Sequence, residues 1–388
     1  MSTIKVNRLE STSTANGGID IDTDGHVQFD GLQLPTEGAL SNRNMFINGE
    51  AAVAQRSTSV TGVTTGGTSN QSVDLFRGSI ASLGTWTNSQ DTDTPDGFSK
   101  SFKLECTTAN ASPGSGSVLA IDLMLEAQNL QRLGYGTSGA KVATLSFYVK
   151  SNKTGAATVT ILQPDNSNRC INPSYTINAA DTWERKTITL PADTSGVINN
   201  DNGRGLIIEM WLNSGSTYTG GSNQNDWTTL DNTNRNASNL GLGGSTADYW
   251  QITGVQLEVG SKATPFEHES YSQTLAKCQR YYTRVIAHTT NGRMATAGNG
   301  SVAGCFPTLF LPTTMRAQPS IDVSSVSHFT TEGIAGGGTQ TCTAISFNAA
   351  SSTAVTLNVS ASGGSSTATG GQLLANTTDA FLEIIAEL

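Results

Sequence analysis

Apolar residues in this chain recur at every second position, in short runs separated by turns, from about residue 44 to the end. Leu145, Phe147 and Val149 alternate with small or polar residues in ATLSFYVKSN. Val159 and Ile161 do so in ATVTILQPD, Ile188 and Leu190 in ERKTITLPADT, and Ile208, Met210 and Leu212 in GLIIEMWLNSG. A period of two places alternate side chains on opposite faces of a strand, so each run asks for one buried face. In YWQITGVQLEVGS, Ile252, Val255, Leu257 and Val259 mark a further strand, with a β-bulge accommodated at Gly254. Turn-rich intervals separate the runs, which describes an antiparallel sandwich of the jelly-roll kind. Alternation resumes in Val355, Leu357 and Val359 and in Leu382, Ile384, Ala386 and Leu388, predicting a C-terminal β-sandwich over 285–388. Two helical interruptions are predicted. One is LMLEAQNLQRL at 123–133; the other is YSQTLAKCQRYY at 271–282, where Leu275, Cys278 and Tyr282 form one stripe of a connector spanning 269–284.

The first 43 residues contain GGIDIDTDGHVQFDG, whose Asp20, Asp22, Asp24 and Gly25 begin like a calcium loop. Such a loop needs a bidentate Glu at its twelfth position, and that position is Gly31. A hairpin fits better: a turn at 23–25 sets Ile21 opposite Val27 and Ile19 opposite Phe29, leaving one face apolar. So small a sheet is marginal in water by itself. The segment is therefore expected to pack on sister chains, with Ile4, Val6, Leu9, Ile19, Ile21, Val27 and Phe29, together with Leu275, Cys278 and Tyr282, at the subunit contacts.

Charged residues are 14% of the 388 and the net charge is −9. Net acidity argues against a nucleic-acid partner, whose phosphates require a basic surface. The sequence shows no run of 18 apolar residues and no leader-like N-terminus, so the chain is expected to be soluble, without membrane insertion, and made without a secretory signal. Five dispersed cysteines without a C-x-x-C pair read as buried free thiols of a reducing compartment.

The run DYWQITGVQLEVGSKATPFEHESYSQTLAKCQRYY, residues 248–282, resembles a segment that recurs in bacteriophage tail-fibre and other virion structural proteins. There a jelly-roll domain, similar to a carbohydrate-binding module, closes with a TGVQLE-G strand and passes through ATPFE to a short L--CQRYY helix. NMFINGEAAVAQRS and DTWERKTITLPADTSG are similar to the opening and middle strands of the same domains, and the resemblance covers about 44–283. It implies a homotrimeric virion protein, assembled in the host cytoplasm, without enzymatic activity or a cofactor in this module. The implied organisation is an N-terminal virion-attachment segment at 1–43 contacting other virion proteins, a jelly roll at 44–268, the connector helix, and a C-terminal domain that meets the host. A component of capsid surface, baseplate or tail that touches no receptor is the alternative.

No nucleophile elbow, H-E-x-x-H or Walker loop is present, and GNGSVAG at 298–304 lacks the strand–helix context of a dinucleotide site. The four histidines are dispersed. A glycan depolymerase, the less favoured enzymatic reading, requires two carboxylates across a groove. Asp91, Asp93 and Asp96 share one short loop; Asp226, Asp231 and Glu209 are better separated. Binding reads better. The polar insertion at 213–248 offers Tyr218 and Trp227 as rings for a host-surface sugar, with Asn225, Asp226 and Asn232 for its hydroxyls. The competing and preferred reading makes Trp227 a packing anchor against a neighbouring subunit. Asp226, Asp231 and Asp248 are candidates for structural calcium by analogy with other jelly rolls.

Overall fold

The computed structural model describes residues 8–10, 18–21, 27–29, 32–33, 39–65, 72–298, 304–334, 339–362 and 368–388. The chain divides into two compact units, Met1–Ser270 and Tyr271–Leu388.

At the N-terminus, β1 (Arg8–Glu10), β2 (Gly18–Ile21), β3 (Val27–Phe29) and β4 (Leu32–Gln33) form an antiparallel sheet in chain order. The hairpin register is the expected one, Ile19 opposite Phe29 and Ile21 opposite Val27. Leu9 and Leu32 extend the Ile19–Phe29 row across all four strands. Ile21 is 42% exposed. The expected turn with Asp22 and Asp24, and the contact residues Ile4 and Val6, lie outside the described residues.

The sandwich comprises β5 (Ser59–Val63), β6 (Phe76–Ala81), β7 (Thr85–Asp91), β8 (Ser101–Thr108), β9 (Val118–Glu126), β10 (Ala143–Ser151), β11 (Gly155–Gln163), β12 (Arg169–Ile171), β13 (Ser174–Ile177), β14 (Glu184–Leu190), β15 (Arg204–Ser214) and β16 (Tyr249–Val259). One sheet runs β14-β10-β16-β8-β7-β5 and the other β12-β11-β15-β9-β6. β13 continues the β12 edge of β11 in the same register, with Pro173 between them; a proline donates nothing to a ladder and belongs on an edge. Between the sheets Trp86, Phe102, Phe147, Ile161, Ile208 and Leu257 are fully buried. Each contributes roughly 1.5–3 kcal/mol relative to an exposed side chain. The bulge sits at Gly254, φ +62°, where the β10–β16 register slips by one.

The residues that carry the family resemblance tie together the two places where the chain enters and leaves the sandwich. Glu258, 1% exposed, accepts from Thr264 N (2.8 Å), Thr264 Oγ1 (2.7 Å) and Gln256 Nε2 (2.9 Å), with Arg43 Nε 3.7 Å away. Glu267 accepts from Asn44 N at 2.9 Å and donates its own N–H to Gln256 Oε1 at 2.8 Å. Asn44 Oδ1 accepts from Leu257 N, and Met45 N donates to the Leu257 carbonyl. A buried carboxylate is tolerated only with such partners.

Two expected helices differ. At 123–133 the first four residues complete β9, where pairing of Leu123 with Ile208 and Leu125 with Leu206 outweighs local propensity; a 3₁₀ helix then spans Ala127–Leu133. The connector helix α1 spans Tyr271–Cys278, and Tyr282 already pairs with Ile385 in a strand. Cys278 and Tyr282 are each 1% exposed in the single chain, so of their stripe Leu275 alone keeps partial exposure.

In the second unit the strands are β17 (Tyr282–Ile286), β18 (Arg293–Gly298), β19 (Gly304–Phe310), β20 (Ser320–Val323), β21 (Phe329–Ile334), β22 (Gln340–Ala350), β23 (Ala354–Ala361), β24 (Ala368–Ala375) and β25 (Phe381–Ile385). They make a three-stranded sheet, β17-β25-β20, and a closed barrel, β18-β19-β23-β22-β21-β24, over one core that includes Phe329, Leu357, Leu373 and Leu382. The chain is thus mostly β, with a jelly-roll sandwich as its larger unit. Among the described residues no helix is long and apolar enough to cross a membrane. All five cysteines are buried free thiols.

Candidate ligand-binding surfaces

The outer face of the sheet built on β11, β15, β9 and β6 is covered by the chain's own long insertion. Cross-strand pairing places Arg77, Asp122 and Glu209 in one row across β6, β9 and β15. Arg235, carried by the insertion, lies over this row. Its guanidinium pairs with both Glu209 oxygens and stacks 5.0 Å from the Trp211 ring and 5.7 Å from that of Tyr218. Tyr218 in turn packs on Trp211 at 5.1 Å. Thr160 Oγ1 donates to the Arg235 carbonyl at 2.8 Å, and Cys170 and Thr228 exchange two backbone bonds at 2.8 Å.

Trp227 is buried within its own chain. Its indole N–H donates to the Pro191 carbonyl at 2.8 Å, and its ring meets Tyr135 edge-on at 5.6 Å. Tyr218 is half-buried at a separate anchor, and Asn225, Asp226 and Asn232 are exposed. Asp231 caps the short helix Asn232–Asn234, accepting from Thr233 N at 2.9 Å, which lowers its pKa. Asp248 Oδ2 accepts from Gly243 N and Ser245 N. No group of three or more His, Cys, Asp or Glu stands together to hold a metal among the described residues. Burial, then the neighbouring Glu209 charge, raises Asp122's pKa to about 7 against the pull of Arg77, Arg235 and Arg204. The Glu209 oxygens are taken by Arg235 and the Trp211 indole (2.9 Å), so this carboxyl pair lies closed beneath the strap.

The outer face of the β14-β10-β16-β8-β7-β5 sheet carries a different arrangement, which sequence patterning did not single out. Tyr148 and Lys150 of β10 stand beside Thr253 and Gln251 of β16, and Gln251 stands beside Lys103 of β8. Asp93, reaching over from the loop after β7, accepts from Lys150 Nζ at 2.7 Å and from the Trp183 indole N–H at 3.1 Å. Burial alone would raise the Asp93 pKa; those two bonds, together with the charges of Lys150 and Lys103, outweigh it and hold the carboxyl below its usual range. Tyr249 donates its hydroxyl to Asp181 Oδ1 at 2.5 Å, while Lys103 Nζ lies 5.3 Å over the Tyr249 ring.

At the bulge end Phe98 packs against Tyr148 (5.3 Å), Phe266 (5.1 Å) and His268 (5.1 Å). A Cβ at Gly254 would come within 2.8 Å of Phe98 Cζ and 2.9 Å of Tyr148 Cδ2, so this glycine both makes the bulge and admits the ring. The product is a strip of half-buried aromatic rings, Phe98, Tyr148, Trp183 and Tyr249, interleaved with fixed lysine and carboxylate groups. Aromatic rings interleaved with fixed hydrogen-bonding groups are the elements from which a sugar-binding surface is built.

No protein-family model matches the chain, and no curated protein matches it in sequence. Solved structures similar to part of it include the enzymatically active domain of tailspike protein 4 of bacteriophage CBA120 (12% identity, TM-score 0.29), whose alignment covers 56% of this chain and 21% of that one. A carbohydrate-binding module of family 4 (14%, TM-score 0.26) covers 55% of this chain and 97% of its own. A putative sugar-binding protein from Bacteroides thetaiotaomicron (11%, TM-score 0.31) covers 56% and 100%. At these identities and scores, function rests on the residues themselves.

Proposed function

We propose that the chain is a bacteriophage virion fibre subunit that works by adhesion, as a homotrimer, with its N-terminal strands docked to other virion proteins. Its sandwich holds host-surface glycan along the strip of Phe98, Tyr148, Trp183 and Tyr249, and the C-terminal β domain takes part in host contact. The observation that carries this reading is the hydrogen-bonded junction of Arg43 and Asn44 with Gln256, Glu258, Thr264 and Glu267. The chain thus enters and leaves the sandwich at one place, which lets a sandwich be carried within a longer fibre chain. Each sugar contact is weak; three lobes on each of several fibres supply avidity. Chemistry on the glycan forms no part of the proposal.

Glycan-array binding of the full-length protein tests it. Wild type is expected to retain a restricted set of surface glycans, and Trp183→Ala with Tyr148→Ala is expected to reduce retention at least about tenfold, a loss of about 1.4 kcal/mol for two aromatic contact surfaces removed together. Equal retention by the double variant, or none by wild type, favours a structural virion component that touches no receptor.

A further inference from the structure

Charge is scarce on the barrel of the second unit. The strands β18, β19, β23 and β24 carry a single charged residue, Arg293, at the start of β18. Strict alternation from Thr296, which is exposed, and Ala295, which is buried, would turn Arg293 inward. The β18–β24 register slips between Arg293 and Ala295, so that Met294 and Ala295 are both buried and Arg293 is exposed. A bulge of this kind re-aims a side chain. Gln372 of β24 steadies the guanidinium there, its Oε1 accepting from Arg293 Nε at 2.6 Å. Among the described residues no carboxylate pairs with Arg293; Glu332, opposite Gln372 on β21, forms no ion pair with it.

A groove of about 240 Å³ lies beside the guanidinium, lined by Thr296, Thr308, Phe310 and Gln372 as well as Arg293. Register sets Gln372 opposite Thr296 and Thr296 opposite Thr308. The Thr308 hydroxyl in turn meets that of Thr356, its partner on β23, at 3.0 Å. One polar row thus crosses four strands. Phe310, two residues beyond Thr308 on the same strand face, is 77% exposed. A ring left in water adds little to folding, so packing within its own chain does not account for it.

We infer that this groove is a second ligand site and that its ligand is a sugar bearing a carboxylate. The guanidinium fork matches a carboxylate through two parallel hydrogen bonds. The row of amide and hydroxyl groups pairs with ring hydroxyls, and Phe310 covers the apolar face of the ring. A carboxylate sits directly on the sugar ring, so one small groove holds anion and ring together, where a bulkier phosphate ester would set them apart. The inference rests on the reading that the C-terminal domain takes part in host contact, and names the class of sugar met there.

Retention of the full-length protein on an array of carboxylate-bearing bacterial glycans, each beside its carboxyl-reduced form, tests it. Wild type is expected to retain acidic glycans at least about tenfold better than their reduced forms. Arg293→Gln is expected to abolish that preference, and Phe310→Ala to weaken retention about threefold or more; both positions are exposed. Trp183→Ala with Tyr148→Ala, which alters the sandwich strip, is expected to leave the preference in place. A preference lost in the strip variant and kept in Arg293→Gln assigns the acidic sugar to the sandwich; it overturns the inference and leaves adhesion standing. Wild-type retention confined to neutral or phosphate-bearing glycans does the same. Retention of no glycan at all overturns both.

Discussion

At Gly254 one missing methyl group serves the sheet and the candidate site together. With φ at +62° and Phe98 and Tyr148 closing over its Cα, the position has neither the backbone freedom nor the space for a side chain. Gly254→Ala is expected to lower unfolding stability by about 1–3 kcal/mol and to detach the Phe98 loop. Urea denaturation reads the first effect, and an unchanged midpoint contradicts the role given to the bulge. The sequence showed the bulge because the apolar beat slips there. It did not show Asp93 as the organiser of the strip, because its two donors lie 57 and 90 residues away and meet it only through sheet pairing. Trp227 was legible as an anchor; that it anchors against its own Pro191 was not, since an irregular loop has no period to follow.

The strap over β15 is an element held by a charge it shields. Asp122 titrates near 7 in the folded chain, above the ordinary value of an unfolded aspartate, with Glu209, Arg77, Arg235 and Arg204 as its charged neighbours. A raised carboxyl pKa means that the folded state holds the proton more tightly. Its stabilising contribution is full below about pH 4 and is lost as pH rises through 7. Asp122→Asn is therefore expected to flatten stability between pH 5 and 8 and to raise it at pH 8 by about 1–2 kcal/mol. Thermal unfolding across that range checks it; a variant that keeps the wild-type slope contradicts it. Strand positions in the sandwich followed from the two-residue period of the apolar residues, although β9, β15 and β16 are buried on both faces, with polar side chains such as Asp122, Glu209 and Gln256 on the second. The two helix boundaries missed, at Leu123 and Tyr282, fall where a cross-strand partner far along the chain overrides a local helical stripe.

For the whole molecule the account is one of display: strands at the N-terminus that pair with each other, a sandwich closed by its own enter-and-leave junction, and a C-terminal barrel. Leu9, Ile19, Phe29 and Leu32 share one register row across the four N-terminal strands, the segment that the proposed trimer would bring together. Light scattering of the purified chain is accordingly expected to give three chain masses at micromolar concentration; one or two would contradict the trimer. The most direct test is cryo-electron microscopy of the intact virion whose genome encodes this chain. The account predicts a three-fold fibre with three sandwich-sized lobes beside its axis and their aromatic strips facing solvent. A virion without the protein, or one that carries it with the strip buried against another subunit, would contradict it.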